Sequence, residues 1–159
     1  DSLIIGCDTL IELDSHVLGK PTDRADAARM LQQLSGQKHV IHTGVAVLST
    51  ATGKLQSAVE SVQVWFKQLS PSDMDTYVTT GESLGKAGAY GIQGAGAELI
   101  ERIEGDYTAA VGLPLNTLAQ LLGQFGMIVP IDLNRLYQQK AYPNWRRFAS
   151  ASRTEGRLQ

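Results

Sequence analysis

Two long apolar stretches joined by a short polar turn constrain this chain more than any other feature. Residues 40–48 and Leu55–Phe66 flank the sequence 51–54, Ala-Thr-Gly-Lys. In the second stretch, apolar and polar residues alternate, which is the period of a strand buried on one face. The pattern predicts a β-hairpin and with it antiparallel pairing, so a purely parallel sheet is excluded. The inward-facing set is Val62, Val64 and Phe66.

Other elements follow from local patterns. Residues 3–13 hold two apolar runs separated by the polar residues 6–9, and they predict a strand with an interruption. Thr22 or Asp23 can cap a helix that ends at Gly36, with Ala27, Met30, Leu31 and Leu34 as its apolar stripe. Further helices are predicted after Ser70 and over 114–125, and a strand over 99–103. The class is therefore α/β, a mixed sheet with flanking helices.

The length and composition fit one globular domain. The chain has 159 residues, of which 43% are apolar and 19% are charged, both ordinary values. No apolar run approaches the ~20 residues of a membrane span, so a membrane protein is not expected. Cys7 is the only cysteine, which suits a reducing cytoplasm. The first residue is Asp1 instead of Met, so a processed or truncated start is expected.

Charge divides the chain at residue 126. Residues 1–126 carry 8 Lys and Arg against 14 Asp and Glu, a net charge of −6, whereas residues 127–159 carry 6 against 2, a net charge of +4. The acidic body argues against a general nucleic-acid binder. We expect residues 1–126 to form the domain and residues 127–159 to be a basic tail of low order. The tail arginines can contact an acidic partner, or they can be solvated.

Asp8 and Lys20 are the first two candidates for chemistry. Asp8 lies in the polar break of the first strand, and we expect it at a strand edge or kink, binding a divalent metal or activating water. The alternative is a turn aspartate that bonds its own backbone. Lys20 precedes Pro21 in a Gly-Lys-Pro loop next to a helix start, where a lysine suits a phosphate. A solvated lysine is the alternative there.

Five glycines between residues 85 and 96 form a third candidate. Glycine lets backbone approach a ligand closely, but the run matches neither the P-loop nor the dinucleotide fingerprint, so a tight connector is the alternative. Within the run, Gln93 has an amide that can read the edge of a base. His39 and His42 are expected on opposite faces of one strand, and no Glu or Cys stands at metal spacing, so no histidine metal pair is predicted.

Five stretches are distinctive when the chain is considered as a whole. They are Ile5-Gly6-Cys7-Asp8-Thr9, Leu18-Gly19-Lys20-Pro21, His42-Thr43-Gly44-Val45, Lys86-Ala87-Gly88-Ala89-Tyr90-Gly91-Ile92-Gln93-Gly94, and Ile103-Glu104-Gly105-Asp106-Tyr107 running to Val111-Gly112-Leu113-Pro114-Leu115. In this order they resemble the Maf family of nucleotide pyrophosphatases, also described as septum-formation inhibitors. The resemblance covers residues 1–126.

The resemblance implies a cleft between two lobes and cleavage of a nucleoside triphosphate to the monophosphate and pyrophosphate, with Mg²⁺ or Mn²⁺. Asp8 matches the family's catalytic acidic residue, which would also hold the metal, and Lys20 and Lys86 match its phosphate-side lysines. Thr9 and Gln93 match the positions that separate subfamilies, and this pair resembles the branch that prefers dTTP and UTP. The alternative is a regulatory nucleotide-binding module of cell division without turnover.

Three departures from the family pattern shape further expectations. Cys7 stands where a small Ala is usual, and Ala109 where Asn is frequent. The family's Ser-x-Ser-Pro-Arg-Arg motif and an acidic metal ligand do not precede Asp1, so we expect a missing N-terminal segment, slow turnover and a tendency to dimerise through an exposed sheet edge. Ser150-Ala151-Ser152-Arg153 echoes the motif without its proline and its second arginine. It is either the start of a permuted or fused copy or a chance match, since short Ser/Ala strings are common.

Overall fold

An antiparallel sheet forms the centre of the part of the chain that the computed structural model describes, which is residues 1–151 with side chains to residue 149. Its five strands lie in the order β2-β1-β3-β4-β5, and every neighbouring pair is antiparallel. The strands are β1 (Leu3–Leu13), β2 (His16–Leu18), β3 (Lys38–Ser49), β4 (Leu55–Phe66) and β5 (Ile100–Glu104).

Helices flank this sheet, which confirms the predicted α/β class. Two 3₁₀ turns, Ala87–Ala89 and Ala95–Leu99, bracket the centre of the glycine-rich run. None of the helices in the described residues has the length and apolar content needed to cross a lipid bilayer. The helices are α1 (Arg24–Leu34), α2 (Pro71–Thr79), α3 (Tyr107–Val111), α4 (Leu115–Gly123), α5 (Leu133–Gln139) and α6 (Trp145–Ala151).

Tight turns connect β1 to β2 and β3 to β4. The predicted hairpin between β3 and β4 is confirmed, with Leu48 paired to Leu55 next to the turn. A second hairpin, between β1 and β2, was not predicted. Its two turn residues, Asp14 and Ser15, have φ values of 47° and 64°. Two consecutive residues in the left-handed region match the twist of antiparallel strands, which explains the tight connection.

The helix caps follow the sequence closely. Asp23, one of the two expected caps, accepts a hydrogen bond of 2.8 Å from the Asp26 N–H at the start of α1. At α2 the predicted capping box is present, because Asp73 N–H donates to the Ser70 hydroxyl at 3.2 Å and Ser70 N–H donates to the Asp73 carboxylate at 2.8 Å. These bonds satisfy backbone donors that the first helical turn leaves without partners.

The core lies on one face of the sheet. Leu31 and Leu34 of α1 are fully buried in the same cluster as Val62 and Val64 of β4. A second cluster joins α4 to the other end of β3, through Leu121 and Leu122 against Val45 and Val47. On the opposite face of the described sheet, Leu55 and Val59 are 59% and 66% exposed. Helices and loops that build a site are therefore gathered on one side of β1 and β3.

The segment after residue 126 differs from the low order expected of it. Within its described part, α5 and α6 form, and Trp145 and Phe148 are buried in the main core. Trp145 stacks on Tyr107 with ring centroids 5.2 Å apart. Aromatic burial thus orders a segment whose sequence shows little periodicity. The division of the chain at residue 126 stays a prediction, and the motif echo at Ser152 and Arg153 lies outside the described residues.

Candidate active site

Asp8 lies in the middle of β1, so the expectation of a strand edge or kink is wrong. The polar residues 6–9 continue the pairing with β3, and Asp8 stands opposite Gly44. Its Oδ1 accepts a hydrogen bond of 2.9 Å from the Thr9 backbone N–H, and its side chain is exposed. Gly44 presents no side chain and the space above it is open. The directly opposite residue is the nearest cross-strand neighbour, so this glycine leaves the carboxylate accessible.

Thr9 is held by a chain of hydrogen bonds into the core. The Thr43 hydroxyl donates to the Ala109 carbonyl at 2.8 Å, and the Thr9 and Thr43 hydroxyl oxygens are 2.9 Å apart. A hydroxyl has one proton, and Thr43 gives its proton to a carbonyl that can only accept. Thr9 must therefore donate to Thr43, and toward the solvent its hydroxyl can act only as an acceptor. The Ala109 side chain is fully buried, and its backbone carbonyl is the polar group that takes part here.

The two candidate lysines stand on segments that meet. Gly88 N–H donates to the Gly19 carbonyl at 3.0 Å, which ties the glycine-rich run to the Gly-Lys-Pro loop. Lys20 follows that carbonyl directly, and Lys86 begins the 3₁₀ turn that contains Gly88. An added Cβ at Gly91 would lie 3.0 Å from the Lys86 Cε, so the Lys86 side chain runs closely over this glycine. The two ammonium groups are thus carried by one connected backbone unit.

Close contacts with neighbouring atoms explain why two positions of the glycine-rich run, 88 and 96, have no side chain. Gly88 has φ of 64°, and a Cβ there would lie 2.6 Å from the Ile11 Cδ1 of β1. Gly96 has its backbone against Gly91, where a Cβ would meet the carbonyl oxygen at 2.6 Å. Neither position accepts a side chain without displacement. The glycines fold the run back on itself and against β1, which leaves Gln93 exposed at its tip.

One cleft gathers all five residues named from the sequence. Its volume is about 500 Å³, and it lies between the centre of β1, the Gly-Lys-Pro loop and the glycine-rich run, with Ala110–Gly112 at its end. This size is in the range of small-molecule sites. Strand alternation directs Asp8 and Thr9 to opposite faces of β1, so Asp8 also borders the open face of the sheet. The five sequence-predicted residues among those that line the cleft are Asp8, Thr9, Lys20, Lys86 and Gln93.

Glu82 lines the same cleft and was missed by the sequence analysis. Its Oε2 accepts a hydrogen bond of 2.9 Å from the Ala95 N–H, and a Cβ at Gly94 would collide with this carboxylate. Glu82 therefore anchors the glycine-rich run from the α2 side. A single acidic residue after a helix carries no periodic signal, so only the fold identifies it. The charged residues that line the cleft are Lys20, Lys86, Asp8 and Glu82.

A buried polar pair supports the floor of the cleft. His39 is 1% exposed, and its Nε2 lies 2.7 Å from the Tyr90 hydroxyl, while Tyr90 itself lines the cleft. Burial lowers the pKa of His39 to about 4 and raises that of Tyr90. Both groups are therefore neutral at physiological pH. The Tyr77 hydroxyl accepts from Gly91 N–H at 3.1 Å, and burial raises the Tyr77 pKa to about 12.

Cys7 and His42 take no part in a metal cluster. Cys7 Sγ donates to the Gly112 carbonyl at 2.9 Å, and burial together with the neighbouring Asp8 charge raises the pKa of its thiol. His42 lies on the face opposite to His39, as predicted, between Glu12 at 3.0 Å and Ser61 at 2.8 Å. Across residues 1–151, no three side chains of His, Cys, Asp or Glu are placed to hold a metal ion together.

Comparison with known proteins gives one consistent result. A model of the family described as Maf-like protein matches residues 1–125. Similar curated proteins are named dTTP/UTP pyrophosphatase, and 79–81% of this chain aligns with them. The identities are 52% over 126 residues for the protein of Pelotomaculum thermopropionicum, 50% over 129 residues for that of Moorella thermoacetica and 49% over 125 residues for that of Vibrio cholerae. The chain spans 66% of the length of each of these three relatives.

Proposed function

The chain belongs to the Maf-like protein family, and on that basis we propose that it is a nucleoside triphosphate pyrophosphatase that prefers dTTP and UTP. One observation carries the proposal. The cleft between β1 and the glycine-rich run is lined by Asp8, two lysines and the two residues matched to base selection, which the sequence distributes over residues 8–93. Convergence of polar groups in one cavity is the usual mark of a ligand site.

The triphosphate would lie along the end of the cleft that holds Lys20 and Lys86. These ammonium groups donate hydrogen bonds and offset the charge of phosphate oxygens. The hydrogen bond from Gly88 N–H to the Gly19 carbonyl fixes the two segments relative to each other. Phosphoryl transfer depends on positioning and charge neutralisation more than on covalent help, so a rigid pair of cations fits this chemistry.

Asp8 would serve the hydrolytic step. A water molecule attacks the α-phosphorus, the bond from that phosphorus to the bridging oxygen breaks, and the products are the monophosphate and pyrophosphate. The exposed Asp8 carboxylate can accept the proton of the attacking water or bind a divalent cation. One protein carboxylate combined with substrate phosphates is a donor set that suits Mg²⁺ or Mn²⁺, and the cation would supply charge neutralisation on those oxygens.

Base preference would rest on Thr9 and Gln93. Thymine and uracil share an edge with one N–H donor between two carbonyl acceptors. Because the Thr9 hydroxyl gives its proton to Thr43, it offers the ligand an acceptor only, which suits that N–H. The Gln93 amide can donate to a carbonyl of the same edge. An adenine or guanine edge presents a different order of donors and acceptors, so this pair would select against purines.

Pyrophosphate release tests the proposal directly. We expect the chain to release pyrophosphate from dTTP and UTP in the presence of Mg²⁺ or Mn²⁺, more slowly from dATP and dGTP, and to release no orthophosphate as a first product. Asp8→Asn should lower kcat by about 10²- to 10⁴-fold, since a base or metal ligand is lost. Asp14→Asn is the matched control, because Asp14 is an exposed turn residue at which Asn accepts the same φ.

The alternative function, a regulatory nucleotide-binding module, makes the opposite prediction. Such a module would bind dTTP by calorimetry and release no pyrophosphate, and Asp8→Asn would leave its affinity nearly unchanged. Equal turnover of all triphosphates would contradict the proposed base preference while leaving the reaction class intact. A homodimer, a cytoplasmic location and the absence of nucleic acid among the partners stay predictions from the sequence.

A further inference from the structure

The segment that follows the family match contacts the cleft from behind. The family model ends at residue 125, whereas Asn144, between α5 and α6, reaches the tip of the glycine-rich run. Its side-chain nitrogen Nδ2 lies 3.1 Å from the Ile92 carbonyl oxygen, 2.8 Å from that of Gln93 and 3.3 Å from that of Gly94. Three consecutive backbone carbonyls therefore face one side-chain amide.

The chemistry of this contact requires an amide at position 144. Carbonyl oxygens only accept hydrogen bonds, so a donor must face them, and the Asn NH₂ has two protons to distribute. Asn144 has φ of 64°, a left-handed conformation that Asn, Asp and Gly adopt more readily than other residues. Aspartate would fit the same space but would direct a carboxylate at three carbonyl oxygens. The position thus selects Asn for both its backbone and its side chain.

The segment that carries Asn144 is itself anchored in the core. Trp145, the next residue, is 6% exposed and stacks on Tyr107. Upstream, the Tyr107 hydroxyl donates to the Pro143 carbonyl. Downstream, Arg147 forms a two-pronged ion pair with Glu98, whose pKa the guanidinium lowers. Anchors on both sides leave the Asn144 side chain little freedom to follow the loop if the loop moves.

We propose that Asn144 is a positioning residue for the nucleotide base, because it fixes the backbone of residues 92–94 and thereby the direction of the Gln93 side chain into the cleft. The inference rests on the proposed function only for the identity of the ligand. Glu82 holds the same loop from the cleft side through Ala95 N–H. The loop tip is thus fixed between a carboxylate in front and an amide behind, and the amide comes from a segment outside the family match.

Two variants of Asn144 distinguish the role of its side-chain amide from that of its left-handed backbone conformation. Asn144→Gly removes the amide and keeps the left-handed conformation easy to adopt, while Asn144→Asp keeps the shape and reverses the polarity. Asn134→Asp is the matched control, since Asn134 is exposed on α5 and undergoes the same change of charge in the same segment. We expect KM for dTTP to rise about tenfold in both Asn144 variants, as loss of about one net hydrogen bond predicts, with kcat within about twofold and the control unchanged.

A double-mutant cycle shows whether the effect passes through Gln93. In a Gln93→Ala background, Asn144→Gly should raise KM no further, because the side chain that it positions is gone. Full additivity of the two substitutions would overturn the proposal and leave Asn144 with a general structural role. The proposal would also be overturned if the control Asn134→Asp changed KM and kcat as much as the Asn144 variants do.

Hydrogen exchange tests the contact of Asn144 with residues 92–94 without any substrate. The amides of Ala95 and Ala97 are bonded to Glu82 and to the Gly94 carbonyl, and we expect both to exchange at least about tenfold faster in the Asn144 variants. Unchanged exchange in both variants would overturn the proposal even if dTTP is hydrolysed. Faster exchange in a chain that hydrolyses no nucleotide would support the Asn144 contact and refute the proposed function. Failure of the positioning role and failure of the proposed function are therefore distinguishable.

Discussion

Acid should destabilise this protein through one buried imidazole, His39. The ring is 1% exposed, and within the described residues its Nδ1 has no hydrogen-bond partner. Burial disfavours the charged ring, so the folded-state pKa falls from its ordinary value of 6.5 to about 4. In a protonated ring both nitrogens carry an N–H donor, and the one at Nδ1 has no acceptor among the described residues. The folded state therefore resists the proton that the unfolded state takes up.

The size and sign of the effect follow from the two pKa values. Above pH 6.5 the ring is neutral in both states, and the free energy of unfolding does not depend on this group. Between pH 6.5 and about pH 4 only the unfolded state binds the proton, so the free energy of unfolding falls by up to ~1.4 kcal/mol per pH unit. The full loss is about 3 kcal/mol, and it is complete once the pH is below the folded-state pKa.

Urea unfolding at several pH values between about 7 and 4 measures this loss. His39→Gln places an amide near the Nε2 position, keeps a partner for Tyr90 and cannot titrate in this range. His16→Gln, at the exposed first residue of β2, is the matched control with the same number of histidines. Carboxylates titrate alike in all three proteins, so the difference between curves isolates the histidine. Equal acid losses in the parent chain and in His39→Gln would refute the reasoning.

Three other predictions follow from the site. Gln93→Glu should change the ranking of dTTP against other triphosphates in competition assays, because an amide donor is replaced by a charge; a uniform loss for all nucleotides would assign Gln93 to the phosphate site or the scaffold. Thr9→Val removes the acceptor offered to the base, so kcat/KM for dTTP should fall about tenfold while that for dATP changes little. Gly96→Ala should cost about 1–3 kcal/mol in thermal or urea unfolding, because its Cβ would meet the Gly91 carbonyl. Gly123→Ala is its control, and with open space around that Cβ it should be neutral or stabilising.

Short-range chemistry made much of the fold predictable. The Ser70–Asp73 capping box and the Asp23 cap depend on residues three positions apart, so the sequence alone is enough to identify them. Alternation in β4 correctly assigned Val62 and Val64 to the core. The same rule put His39 and His42 on opposite faces of their strand, since their separation is odd.

Long-range contacts explain what sequence patterns missed. The polar stretch 6–9 resembles a break, but ten consecutive register pairs with β3 hold it in a continuous strand. Asn144 and Glu82 act on the same loop from distant parts of the chain, and an isolated polar residue has no periodicity that would reveal this. The helices α5 and α6 depend on aromatic contacts such as Trp145 on Tyr107, which no local propensity encodes.

The two walls of the cleft are held by different means, and this assigns them different roles. The wall that carries Asp8 and Thr9 is a central strand, fixed by its pairing with β3 and by the Thr43 hydroxyl. Chemistry that needs reacting groups held within a fraction of an ångström is best served by such an element. The wall that carries Gln93 is a glycine-rich loop, whose position depends on individual side chains of other segments, such as Glu82 and Asn144. A wall of this kind can change its ligand preference through one substitution at an anchor, while the strand that carries Asp8 keeps its geometry.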